Sequence, residues 1–351
     1  MGRRILVVNP GSTSTKMAVY ESGSALYTET LRHEGSLLAQ YPRIWDQLDF
    51  RCAALREWGK SMGGDFAAVI SLGGLLKPVE GGVYAVNDAM LADARANLQG
   101  EHASNLGCAL AHALAREYRC SALVADPVSV DELEPLARYS GHPLIQRSSL
   151  SHALNIHAAA RRAAEEMNLL PAKASFVIAH LGGGISIAPV KGGRIIDVND
   201  ASSDGPFSPE RTGGLPLQHF ITLCYAGTRT EAEMRKLVMG RGGLSAYLGT
   251  NSAMEVEQRI TGGDQQARGV YEAMAYQIAK EIGAMATVLE GDLQAVVMTG
   301  GLASSSMLTG WITRRVSFLA PVLVFPGEDE MHSLAAAALR VLDGKETPGT
   351  Y

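Results

Sequence analysis

The chain has only four cysteines, Cys52, Cys108, Cys120 and Cys224, with no C-x-x-C pair and no metal-ligand spacing. A cysteine metal centre is therefore excluded, and the thiols read as reduced and mostly buried. No apolar run approaches the length needed to span a bilayer. The opening MGRRILVVNPG does not resemble a signal peptide, so a cytoplasmic protein with no membrane partner is expected. There is no basic run either. Thirty-one Lys and Arg stand against 36 Asp and Glu, a net charge of −5, which argues against nucleic acid as a partner. Two nucleotide-binding signatures are also missing. The Walker spacing G-x-x-x-x-G-K-S/T is absent, and no G-x-G-x-x-G follows the first strand, which disfavours a Rossmann dehydrogenase.

What remains is a packed chain, 46% hydrophobic and 19% charged, and at 351 residues long enough for two domains. Short apolar runs read as buried strands at 5–8, 17–20, 67–70, 122–125, 176–179, 185–188, 194–198, 295–298 and 322–325. Helical stretches lie between them, roughly at 36–60, 104–118, 152–168, 268–290, 304–319 and 331–343. The fold class is α/β with largely buried sheets. The stretch FVIAHLGGGISIAPV (176–190) repeats the plan of ILVVNPGSTSTKMAVY (5–20): buried strand, small-residue turn, strand. A third strand follows each, ALYTETL in the first case and RIIDV in the second.

The turns carry the chemistry. Asn9, Pro10 and Gly11 break the first strand, and Ser12, Thr13, Ser14 and Thr15 place hydroxyls beside Lys16. That arrangement fits either an ordinary hairpin turn or a phosphate site built from N–H groups, hydroxyls and one mobile charge. Gly182, Gly183 and Gly184 offer bare backbone after a second buried strand, and Gly300 and Gly301 open a helix after a third. Asp126 ends the strand ALVA, where it reads as base, magnesium contact or plain turn residue. Arg211 sits in the polar loop 199–216, placed to stabilise a transferring phosphoryl group. His152 opens a helix and His102 lies in GEHASNLG, each structural or catalytic. Glu328, Asp329 and Glu330 gather at the start of the last helix, where they favour the dipole or reach magnesium through water.

NPGSTSTK, GEHASNLG, ADPVSVDE, SHALN, HLGGGIS, DGPFSPERTG, TGGLA and FPGEDEM occur in the order and spacing of the butyrate kinases, which the whole chain resembles. These belong with acetate and propionate kinases in the acetokinase family. The resemblance implies a two-domain actin-like ATPase fold: a duplicated mixed β-sheet core with flanking helices. The lobes would be 1–150 plus 331–351, on the phosphate and acid side, and 151–330, on the nucleotide side. It implies reversible transfer of the γ-phosphoryl of ATP to a short-chain carboxylate such as butanoate, with magnesium, in a homodimer or larger homo-oligomer. By the same resemblance Asp126, His152 and Arg211 are catalytic. Asn9, Ser12, Ser14, Lys16, His180, Gly182, Gly183, Gly184, Gly300 and Gly301 hold the nucleotide and its phosphates. His102 and Lys77 meet the acid, and Asn9, Asp329 and Glu330 serve the metal. Four positions in three segments depart from the family pattern. Leu72 stands for an arginine, Ser252 and Met254 for an Asp and an Arg, and Ser151 for the phenylalanine before the histidine. A second reading follows from them: a paralogue that binds nucleotide or acid without efficient turnover.

Overall fold

The structure, a computed structural model, describes residues 3–351; Met1 and Gly2, the start of the stretch examined for a signal peptide, lie outside them. Twelve strands are found among the described residues: β1 (Arg4–Pro10), β2 (Ser14–Glu21), β3 (Ser24–Arg32), β4 (Ala68–Leu72), β5 (Val83–Ala85), β6 (Ser121–Ala125), β7 (Ser175–Leu181), β8 (Ile185–Lys191), β9 (Arg194–Ile195), β10 (Ala295–Gly300), β11 (Val322–Pro326) and β12 (Gly349–Thr350). The chain divides into two compact units, Met1–Asp131 with Asp329–Tyr351, and Glu132–Glu328. Residues 132–150, expected with the first domain, therefore belong to the second unit. Glu134 N–H donates to the Ile196 carbonyl at 2.9 Å, and Arg147 pairs with Asp197 at 2.8 Å.

The first unit is built on a seven-stranded sheet ordered β12-β5-β6-β4-β1-β2-β3, the second on a five-stranded sheet ordered β11-β10-β7-β8-β9. The two sheets share a five-strand pattern. In the first, β6, β4 and β1 are parallel and β2 and β3 turn back antiparallel; in the second, β11, β10 and β7 are parallel and β8 and β9 turn back. The repeat expected from the two strand–turn–strand segments is thus a duplicated mixed sheet. Strands covered on both faces need no polar side, so β7 is buried along its whole length and β1 from Ile5 to Val8.

Helices Leu106–Tyr118 and Glu330–Leu342 pack on the first sheet. Leu106, Leu110 and Leu114 recur every four residues and meet Val8, Met17 and Val69 in one apolar cluster. Helices Ala153–Glu166 and Gln265–Val288 pack on the second, the latter through Tyr271, Met274, Ala275, Ile278 and Ile282.

Three local expectations change. The helix expected over 36–60 is interrupted at Pro42, which lacks an N–H and cannot sit inside a helix; Gly35–Leu38 and Leu48–Ser61 remain helical, with a tight turn at Ile44–Gln47. RIIDV keeps only Arg194–Ile195 as strand. Residues 217–261, unassigned from sequence, contain four short helices, Leu217–Tyr225, Glu231–Val238, Gly243–Leu248 and Ala253–Thr261.

Candidate active site

In the first unit, Asn9 stands directly opposite Lys16 across the β1–β2 pair, so both side chains leave the same face of the sheet. The Gly11 N–H donates to the Ser14 carbonyl at 2.8 Å and closes the turn between them. Ser12, Thr13 and Lys16 are exposed on it. Asn9 Nδ2 donates to Glu330 Oε2 at 2.7 Å, bringing the last helix to the hairpin. Asp329 is engaged differently: its Oδ1 accepts the His332 N–H at 3.0 Å and caps that helix.

Asp126 lies at the carboxyl end of β6 and is almost fully buried, with φ at 38°, a left-handed value for a residue with a Cβ. Its Oδ1 accepts the Gly82 N–H at 2.8 Å while its own N–H donates to the Gly82 carbonyl at 2.9 Å. Leu72 ends β4 opposite Ala125, one residue from Asp126, at the carboxyl ends of parallel strands where ligands of α/β sheets bind. His102 accepts the Ser104 N–H on Nδ1 at 3.2 Å, so when neutral it carries its proton on Nε2. Lys77 places its ammonium 4.0 Å from the centre of the Tyr351 ring, and its N–H donates to the Tyr351 hydroxyl at 3.0 Å. In this conformation the Lys77 charge serves to hold the C-terminus.

The second unit gathers the other charged candidates. His152 and His180 stack with ring centres 4.0 Å apart and 19° between planes. The Ser186 hydroxyl sits 2.9 Å from His152 Nδ1 and accepts the His152 backbone N–H at 3.4 Å. The hydroxyl keeps its own proton to give to Nδ1 in the tautomer that carries the ring proton on Nε2. Although His152 is only half-buried as a residue, desolvation by the surrounding protein, then His180 and Arg211, hold its pKa well below the ordinary value. His152 is therefore neutral at neutral pH, and in that tautomer an Nε2–H donor. His180 Nε2 lies 3.3 Å from Glu328 Oε1, and neither of its ring nitrogens makes a well-aligned hydrogen bond among the described residues.

Arg211 reaches over the glycine turn. Its Nη1 donates to the Ala201 carbonyl at 2.8 Å, and a Cβ on Gly184 would stand 2.4 Å from that same nitrogen. Gly184 is bare because a guanidinium lies where its side chain would be. Burial lowers the Arg211 pKa, against which Glu210 and Asp200 act. Gly183 is fixed from its carbonyl, which accepts the Ser208 hydroxyl at 2.6 Å. Gly300, at φ 92°, approaches β7 so closely that a Cβ would meet the Leu181 carbonyl oxygen at 2.4 Å; Gly301 next to it opens onto free space.

Two sets of the predicted residues thus gather, each within its own unit, while Asp126, His102 and Lys77 lie elsewhere in the first. Asn9, Ser12, Ser14, Lys16 and Glu330 meet on the first hairpin, and His152, His180, Arg211 and Gly182–Gly184 meet on the second. Of the departures, Ser252 caps the helix Ala253–Thr261 by accepting the Glu255 N–H at 3.3 Å, and Met254 is exposed. The Ser151 hydroxyl is buried without a hydrogen-bond partner among the described residues. A cavity of about 560 Å³ around Pro135, Arg138, Tyr139 and His142 is lined by none of the candidates.

Two residues escaped the sequence reading. Ser186 looked like a strand residue. Arg51 carried a usable signal, a charge inside the apolar stripe Leu48, Cys52 and Leu55 of its helix.

Residues 145–319 match the model of the acetokinase family. A probable butyrate kinase 2 of Caldanaerobacter subterraneus is 50% identical over 351 residues, 99% of each chain. A probable butyrate kinase of Listeria innocua is 47% identical over the whole of both chains. Among solved structures, the acetate kinase of Porphyromonas gingivalis, at 18% identity, has a TM-score of 0.79 over 97% of this chain and 100% of its own.

Proposed function

The chain belongs to the acetokinase family, alongside the butyrate kinases, and is a carboxylate kinase of the two-domain actin-like ATPase fold; from that premise we propose how its residues divide the work. The reaction is ATP + butanoate ⇌ ADP + butanoyl phosphate. A carboxylate oxygen forms the new bond to the γ-phosphorus as the bridging bond to ADP breaks. The nucleophile is already an anion, so no base is needed, and catalysis rests on positioning and on compensating charge.

The stacked, neutral His152 beside Arg211 is the observation that carries this reading. His152 donates its Nε2–H to an equatorial oxygen of the transferring group, and Arg211 supplies the charge there, while His180 is held between His152 and Glu328. Asn9, Ser12, Ser14 and Lys16 take the phosphate end, and the backbone of Gly182–Gly184 and Gly300–Gly301 takes the nucleotide. Asp126, locked by Gly82, serves the acid with His102, whose Nε2–H suits a carboxylate oxygen. Lys77 takes part only if it leaves the Tyr351 ring.

Magnesium fits the donor set at Asn9 and Glu330, an amide and a carboxylate already joined at 2.7 Å, with Asp329 adjacent in sequence. No group of three or more His, Cys, Asp or Glu among the described residues is arranged to hold a metal, as suits an ion bound largely by phosphate and water. When bound, the ion neutralises phosphate charge. A homodimer or larger assembly is supported by helix Leu217–Tyr225, which has no buried residue and exposes Leu217, Ile221 and Tyr225. A reducing, cytoplasmic location is supported by four free cysteines, and no helix among the described residues is long and apolar enough to cross a membrane.

The test is acyl hydroxamate formation from ATP, magnesium, hydroxylamine and butanoate, isobutanoate, propanoate or acetate, with butanoate expected to give product. Background product with every acid, from protein that still binds ATP, would overturn the reading in favour of a paralogue without turnover. The relatives give that alternative no support.

A further inference from the structure

Among the described residues, Arg51 is the largest fully buried side chain and makes no ion pair. It lies on helix Leu48–Ser61 behind the β1–β2 hairpin. Its Nη1 donates to the Gly11 carbonyl at 2.9 Å, the Ser14 carbonyl at 3.1 Å and Thr15 Oγ1 at 3.0 Å. Its Nη2 donates to the Ser12 carbonyl at 3.3 Å, and the opposite edge is held by Gln47 Oε1, 2.9 Å from Nη2 and 3.2 Å from Nε. The same Thr15 hydroxyl meets His33 Nε2 at 2.9 Å.

A cation stripped of water with no counter-charge is an expensive way to fill space. Burial lowers the Arg51 pKa to about 10, so the guanidinium is still charged at neutral pH. The geometry shows what the charge does. All peptide bonds described are trans, so a carbonyl turned inward sends the next N–H outward. With the Gly11 and Ser12 carbonyls on Arg51, the N–H groups of Ser12 and Thr13 face away from it, on the side where Ser12, Thr13 and Lys16 are exposed.

We infer that Arg51 is a positioning residue of the phosphate turn: from behind, it holds the turn carbonyls inward and adds an uncompensated positive charge beneath the donors that receive the ATP phosphates. The inference rests on the reading that this turn meets phosphate.

The experiment compares Arg51→Lys, Arg51→Met and Lys16→Ala in steady-state kinetics with ATP and butanoate varied separately, together with thermal unfolding. Lysine keeps the charge, but its three donors on one nitrogen cannot reach all five acceptors that the guanidinium holds. The expected result for Arg51→Lys is a loss of roughly tenfold to a hundredfold in kcat/KM for ATP, the range for outer partners of a bound group, with KM for butanoate within about twofold. Arg51→Met, where it folds, should lose more. Folded Arg51→Lys with ATP kinetics like the parent, or with only a lower melting temperature, would overturn the inference. An equal loss toward both substrates would overturn it too. Lys16→Ala separates the two levels. Unchanged ATP kinetics there removes the phosphate turn itself and the role of Arg51 with it. A loss in Lys16→Ala with parent-like Arg51→Lys removes Arg51 alone.

Discussion

Gly184→Ala is the smallest change that tests how the second turn works. The added Cβ would stand 2.4 Å from Arg211 Nη1, 2.7 Å from Cζ and 3.2 Å from Nη2. Favourable contacts of this kind lie at about 3.5 Å or beyond, so the guanidinium must retreat by about 1 Å. The backbone raises no objection, because Gly184 is not among the residues with positive φ. The obstructing atoms belong to the far end of a flexible side chain, so the fold should absorb the change. The main structural loss is the 2.8 Å bond from Nη1 to the Ala201 carbonyl, which with a charged donor is worth about 1.5 to 3 kcal/mol net. Catalysis has no such slack. A misplacement of 1 Å at a reacting centre costs about 10²-fold, equivalent to ~2.7 kcal/mol in the barrier. We expect kcat in the hydroxamate assay to fall about a hundredfold, with KM for ATP little changed and melting lowered by only several degrees. The double variant Gly184→Ala/Arg211→Ala should lose scarcely more than Arg211→Ala alone, since both remove one interaction. A folded Gly184→Ala enzyme with kcat within about twofold of the parent would refute the argument, because Arg211 would then not act from where it lies.

Three further outcomes follow from the same geometry. Ser186→Ala removes the group that directs the His152 proton to Nε2; kcat should fall by about tenfold to a hundredfold, with partial recovery in Ser186→Thr, and parent-like turnover would contradict the tautomer argument. The folded pKa of His152 lies below its unfolded value of about 6.5, so between the two the unfolded chain holds the proton and the native one does not. Stability is thus complete above that pH and declines as the pH falls beneath it, to which His33 adds; in melting curves from pH 8 to 5, His152→Gln should flatten the decline, and an unchanged slope would count against it. Leu72→Arg places a guanidinium beside the β6 end that carries Asp126 and should lower KM for butanoate; a constant KM would show that position 72 does not face the acid.

How far the sequence revealed this molecule depended on where the physics was local. Ile5–Val8 and Phe176–Ala179 were readable as strands because sheets covered on both faces demand continuous apolar runs. Turn chemistry was readable as turns, yet the reason for the glycines was not. Gly184 is bare for a side chain 27 positions later, Arg211, and Gly300 for the carbonyl of Leu181, which only tertiary structure brings close. The four helices over 217–261 were missed because each is short and largely exposed, so its periodicity runs over too few turns to stand out. Among the acids of FPGEDEM, composition could not tell that Asp329 caps a helix, Glu330 joins Asn9 and Glu328 meets His180.

The duplicated strand order has one more consequence, for how the two halves tolerate change. Each sheet offers its turn at the same topological point, yet the arginine stands behind the turn in one and in front of it in the other. The front of the first turn is assembled from separate hydroxyls, amides and Lys16, so single losses there should erode it by degrees. The front of the second depends on emptiness, and emptiness has no partial form. Sequence drift should therefore weaken one turn gradually and switch the other off at a single methyl group.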